Sequence, residues 1–76
     1  MVKIQLSLYG LKVGKRLGDG AIVEVDKGTS IRDLLALFDL KEEEIGLVVV
    51  NGKSGAFGQT LREGDRVTMI APLAGG

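Results

Sequence analysis

Residues 46–52, Gly46-Leu47-Val48-Val49-Val50-Asn51-Gly52, decide how this chain is read. Four consecutive apolar residues, three of them β-branched, are the mark of a central strand with both faces covered. Asn51-Gly52 follows at once. Both residues tolerate positive φ, so the pair predicts a two-residue hairpin turn and a short returning strand near 53–56.

Upstream of this strand the pattern changes to the helical period. Ile31, Leu34, Leu35 and Phe38 fall at i, i+3, i+4 and i+7 and form one apolar stripe. Ser30 stands where an N-cap belongs, and Asp33 sits three residues on, near the positive end of the helix dipole. The predicted helix is 31–39. Residues 41–45, Lys-Glu-Glu-Glu-Ile, suit a single helical turn or an irregular crossover.

Nearer the start, residues 2–9 alternate strictly: Val2, Ile4, Leu6 and Leu8 against Lys3, Gln5, Ser7 and Tyr9. That is a half-buried strand. Residues 10–20 hold four glycines and read as a loop, and 21–26 read as a second strand in an antiparallel hairpin. Downstream, Glu63-Gly64-Asp65 predicts a turn and 66–71 the last strand. Pro72 ends that strand, because it has no N–H for the ladder. Strand, strand, helix, strand, short strand, strand is an α+β layer pair. The order matches the β-grasp, or ubiquitin-like, arrangement: a mixed sheet of four to five strands with one main helix packed across it. Its first and last strands lie parallel at the centre. Residues 1–71 are expected to form the domain and 72–76 an extended tail.

Composition excludes several classes of function. With 76 residues there is room for one small domain, which buries only about 60% of its unfolded surface. The chain has no cysteine and no histidine, so disulfides, thiolate chemistry and the usual zinc ligand sets are absent. Ten basic residues balance ten acidic ones, and there are only three aromatics, Tyr9, Phe38 and Phe57. A nucleic-acid partner is therefore not expected. No run is long and apolar enough to span a membrane, and the first residues do not resemble a signal peptide. A cytoplasmic protein is the expectation.

Two short motifs read as ordinary surface. Gly10-x-x-x-Gly14-Lys15 looks like a phosphate-binding loop, but it is one residue short and has Arg16 where the magnesium-binding hydroxyl belongs. It also lies between strands, with no helix N-terminus behind it. Glu42, Glu43 and Glu44 are adjacent carboxylates without the separation or contrast in environment that acid–base pairs need. They read as a solvated face, as do Lys12, Lys15 and Arg16. The chain end is different. Gly75-Gly76 follows a predicted strand and a short apolar stem, Pro72-Leu73-Ala74. Extended, these five residues reach about 16–18 Å. A tip without side chains threads a narrow channel, and its only reactive group is the α-carboxylate of Gly76. The strands at 47–50 and 66–71 are apolar on both faces. Either a loop covers the face turned from the helix, or Val49, Ile70 or Phe57 forms an exposed patch that docks a partner.

Four segments carry a resemblance over essentially the whole chain: Lys27–Leu35, Gly46–Lys53, Leu61–Val67 and Pro72–Gly76. They are similar to the ThiS/MoaD sulfur-carrier family, that of the thiamine sulfur carrier and the molybdopterin-synthase small subunit. The ending looks closer to the molybdopterin branch, although Ala71 stands where that branch often has a first proline. The resemblance implies a carrier and not an enzyme. A ubiquitin-activating-type enzyme would use ATP to adenylate Gly76, and persulfide sulfur would convert it to a thiocarboxylate. Gly75, Ala74, Leu73 and Pro72 would thread into the partner's active site. The implied partner is the molybdopterin-synthase large subunit, or thiazole synthase if the thiamine branch applies. The same activated terminus would also serve transfer-RNA thiolation, or isopeptide conjugation to lysines. No cofactor is expected on the chain itself.

Overall fold

The alternation over residues 2–9 becomes strand β1 (Val2–Tyr9), paired antiparallel with β2 (Ala21–Val25). The structure, a computed structural model, describes residues 1–10 and 20–72. Helix α1 (Ile31–Leu37) follows, then a 3₁₀ turn (Glu42–Glu44), β3 (Leu47–Val50), β4 (Lys53–Ser54) and β5 (Arg66–Ile70). The five strands of the described residues form one sheet in the order β2-β1-β5-β3-β4. The run at 47–50 is therefore interior but not central. β5 holds the middle, parallel to β1 and antiparallel to β3.

The capping box is complete. Asp33 N donates to Ser30 Oγ, and Ser30 N donates to Asp33 Oδ2, both at 3.1 Å. Two further N–H groups of the first turn find carbonyls outside the helix: Ile31 N donates to Gln59 O at 2.9 Å and Arg32 N to Phe57 O at 2.8 Å. The segment after β4 thus leaves the sheet to satisfy the helix start, whose N–H groups have no partner within the helix. This is why β4 stops at Ser54 and does not continue to 56.

The helix also ends earlier than its spacing predicts, at Leu37 rather than 39. Asp39 takes a left-handed φ of +57°. Around it Leu40 N donates to Leu35 O at 2.9 Å and Asp39 N to Ala36 O at 3.2 Å. These are the paired bonds of a Schellman motif with Asp39 at the left-handed position. The reversal returns Leu40 to the core beside Leu35, both buried.

Among the described residues thirteen buried apolar side chains make the core. Ile4 and Leu6 come from β1, Val25 from β2, Val48 and Val50 from β3, and Val67 and Met69 from β5. Ile31, Leu34 and Leu35 face them from α1, and Leu40, Ile45 and Leu61 close the edges. No polar side chain is buried among the described residues. The stripe at 31, 34, 35 and 38 thus faces the core as its spacing predicts, with Phe38 half-buried against the cluster.

The Asn-Gly turn and the Gly-Asp turn meet at one pole. Asn51 and Gly52 both take positive φ, +54° and +82°, as a two-residue hairpin of this twist requires. Asn51 Nδ2 donates to Asp65 Oδ1, and Arg66 N donates to Asn51 Oδ1, each at 2.9 Å. Asp65 Oδ2 accepts from Arg62 N at 2.8 Å, and Asp65 O accepts from Gln5 N at 2.9 Å. The Asp65 carboxylate and the Asn51 carboxamide therefore tie the turn after β3 to the start of β5, and the backbone carbonyl of Asp65 ties that start to β1.

Two substitutions at the helix ends have opposite expected effects in urea denaturation. Ser30→Ala removes the cap and lowers stability by about 1 kcal/mol. Asp39→Gly relieves the left-handed backbone of a residue with a Cβ and raises stability by about 1 kcal/mol. An Asp39→Gly protein no more stable than its parent would contradict this reading of the helix end.

Candidate functional site

The opposite pole is where the chain leaves the sheet. β5 is gripped on both sides up to its last residue: Gly46 N donates to Ile70 O at 2.7 Å, and Ala71 N donates to Tyr9 O at 3.0 Å. Pro72 then removes the next donor and ends the ladder. Leu73, Ala74, Gly75 and Gly76 lie outside the described residues. The chain therefore leaves from the middle strand of the described sheet, which is hydrogen-bonded on both sides.

The sheet face turned from the helix is apolar beside this exit. The registers Tyr9↔Ile70 and Leu47↔Ile70 set three residues abreast. Ser7, Thr68 and Val49 form the next row down. Leu47 is 46% exposed and Tyr9 43%, while Ile70 and Val49 are half-buried. Toward the far pole the face becomes mostly polar, with Gln5 level with Arg66 and Lys3 level with Glu24, and with exposed Ile22 beside Gln5 on β2. The result is an apolar patch of Tyr9, Leu47, Val49 and Ile70 at the root of the tail. Its edge is polar, the general layout of a docking surface.

Of the expected docking residues, Val49 and Ile70 are thus brought together and Phe57 is not. Phe57 is half-buried and packs against the core, which lies on the helix side of the sheet. It borders a cleft with Ile45, Gly46, Leu47, Val48, Ser54 and Gly55, beyond the short β4 edge. Sequence pattern alone does not single out Tyr9 and Leu47. Tyr9 counts among the polar positions of the first strand, and Leu47 belongs to a run that reads as covered on both faces. The alternation does place both on the helix-distal face. Only the registers of β5 with β1 and with β3 set them on either side of Ile70.

The glutamate run behaves as surface with local tasks. Glu42 Oε2 accepts from Arg32 Nε at 2.6 Å, joining the 3₁₀ turn to α1. That hydrogen bond, and then the charge of Glu42, raises the Arg32 guanidinium above its ordinary value. Both side chains are largely exposed, so the pair contributes little to stability. Glu44 Oε1 accepts from Lys41 N at 3.1 Å and caps its own turn. Gly14, Lys15 and Arg16 of the phosphate-loop look-alike, and Lys12, lie outside the described residues. Among the described residues no group of three His, Cys, Asp or Glu side chains is placed to hold a metal ion.

Comparison with known proteins gives a family and a fold. The ThiS family profile matches residues 13–76. Small archaeal modifier protein 1 from Haloferax volcanii superposes with a TM-score of 0.67 at 21% identity, covering 97% of this chain and 99% of that one. A second structure of that protein gives 0.67 at 18% identity, covering 96% and 100%. A Pyrococcus furiosus protein described as a putative molybdopterin converting factor, subunit 1, gives 0.68 at 21% identity, covering 96% and 100%. At these identities the likeness is one of fold, the ubiquitin-like β-grasp. No curated protein sequence matches the chain.

The two sheet faces differ in what they contribute to stability. Leu47→Ser, on the open face, shifts unfolding by no more than about 0.5 kcal/mol. Met69→Ala, its near neighbour on the core face, costs about 2–5 kcal/mol. Equal losses in urea denaturation would show that the open face is packed like the core and not free for a partner.

Proposed function

Because the chain belongs to the ThiS family of small ubiquitin-like sulfur carriers, which are not themselves enzymes, we propose that it carries sulfur on the carboxyl group of Gly76. A free carboxylate is a poor electrophile. The activating enzyme lets its oxygen attack the α-phosphorus of ATP, and pyrophosphate leaves. A persulfide sulfur then attacks the carbonyl carbon of the acyl-adenylate and displaces AMP. A thiol cleaves the resulting acyl disulfide and releases the thiocarboxylate. With no cysteine in the chain, the sulfur has no side chain to sit on.

The observation that carries this reading is the exit of the chain. The middle strand of the sheet runs without a break into Pro72, beside an apolar patch, and the family match extends through Gly76. A patch at the tail root lets an enzyme hold the body while the tip enters its active site. Such an arrangement raises the effective concentration of the terminal carboxylate at the reacting centre. On this reading the chain uses no cofactor of its own, and ATP belongs to the activating enzyme. Leu73 and Ala74 line the partner's channel, and Gly75-Gly76 pass its narrowest part.

We assign the sulfur to molybdopterin synthesis, with the synthase large subunit as acceptor, on the Pro-Leu-Ala-Gly-Gly ending and the fold of the Pyrococcus furiosus neighbour. Thiamine thiazole synthesis and transfer-RNA thiolation share the chemistry. A second reading is favoured by a specific observation: the Haloferax volcanii neighbour is named as a modifier protein. A modifier would use the same adenylate and pass it to a lysine amine, forming an isopeptide bond with loss of AMP.

Intact mass separates the two. Incubation with an activating enzyme, ATP and a persulfide donor is expected to give the mass change of one oxygen replaced by sulfur. Conjugates on other proteins without that change would favour the modifier. An uncleavable bulky residue added after Gly76 is expected to abolish both products, and undiminished activity would refute any role for the terminal carboxylate. Leu47→Asp is expected to slow charging at least about tenfold by placing a charge in the docking patch, with the unfolding midpoint unchanged.

A further inference from the structure

We propose that Gly46 is a positioning residue for the C-terminal tail. A methyl group built on its Cα would stand 2.6 Å from Pro72 Cα, 2.8 Å from Pro72 N and 3.1 Å from the Ala71 carbonyl carbon. All three are backbone atoms, so no rotamer change makes room. The φ of Gly46 is not positive, and its conformation therefore does not demand glycine. The demand comes from the close passage of another backbone. On the other side the contact is looser: a methyl group on Gly10, whose φ is +72°, would meet Ala71 Cβ at 3.2 Å.

The root of the tail thus lies in a slot between two glycines, held by the bonds from Gly46 N to Ile70 O and from Ala71 N to Tyr9 O. Gly46 does not contact the reacting carboxyl group. It acts through Ala71 and Pro72, setting the line along which the chain leaves the sheet. Leu47, the next residue, belongs to the apolar patch, so the direction of the tail and the docking surface share one short segment. A side chain at position 46 pushes the root aside and turns the tip away from where a docked enzyme expects it. What the tip delivers there rests on the sulfur-carrier reading. The steric slot itself does not.

A coupling experiment tests the slot. In the full chain Gly46→Ala is expected to lower the urea midpoint by about 1 M, as overpacking does. In a chain ending at Ala71, which keeps every buried residue among those described and the bond from Ala71 N to Tyr9 O, the same substitution is expected to lower it far less. Gly58→Ala, with open space around its Cα, is the control and should change neither. An equal loss with and without residues 72–76 overturns the proposal, as does a Gly46→Ala protein that folds in neither background. Folding only in the shortened chain supports it.

Charging supplies the functional arm. With a purified adenylating enzyme, ATP and a persulfide donor, Gly46→Ala is expected to lose roughly tenfold to a hundredfold in rate at saturating carrier, where Gly58→Ala does not. A charging rate equal to the parent's overturns the positioning role. If the parent itself is not charged, the carrier reading fails, and the urea comparison still decides whether Gly46 holds the tail.

Discussion

The parallel pairing of β1 with β5 is the constraint on which the rest of the molecule depends. A parallel neighbour cannot be reached by a tight turn, so the chain must travel the length of the sheet again between them. The connection passes through β2, α1, the 3₁₀ turn and the β3–β4 hairpin, and all of them are placed by the need to return β5 beside β1. Because the strands are parallel, the end of β5 lies level with the end of β1. Tyr9, Ile70 and Leu47 therefore stand abreast, and the tail departs from that row.

The two poles of the sheet divide the tasks. At the starting end of β1 and β5, Asn51 and Asp65 satisfy backbone groups of those two strands and tie the turn after β3 to them. At the other end the contacts are backbone to backbone, the side chains are apolar, and the chain is released. Rigidity at one pole makes a defined exit at the other. A tail that must reach a distant active site gains from a fixed origin, because every degree of freedom removed at the root raises the fraction of tips correctly aimed.

Nothing in the body needs chemistry of its own for this. The core is entirely apolar among the described residues, and the raised guanidinium of Arg32 is accounted for by its neighbour Glu42. On the proposed reading the reactive group is a backbone terminus. Its environment would be supplied by whichever enzyme encloses it, which is why small carriers of one family can serve different acceptors on one fold.

Local pattern in the sequence determined the elements, the capping box, both turns and the core-facing residues, because each rests on neighbours in the chain. Ser30 with Asp33, Asn51 with Gly52, and the alternation of Val2, Ile4, Leu6 and Leu8 need nothing distant to be legible. The ending, Pro72-Leu73-Ala74-Gly75-Gly76, stands out in composition, and the sulfur-carrier proposal rests on it. Tertiary structure alone decided the rest. It shortened α1 so that Leu40 could turn back into the core, while the central parallel pair of β1 and β5 is the one that the order of elements had already suggested. It moved Phe57 to the helix side, and it set Tyr9 and Leu47 beside Ile70. It also made Gly46, inconspicuous among the glycines of the sequence, the residue that the tail backbone passes within contact distance. These depend on which strands become neighbours and in what register, and a parallel pair joining residues some sixty positions apart leaves no local periodicity to read.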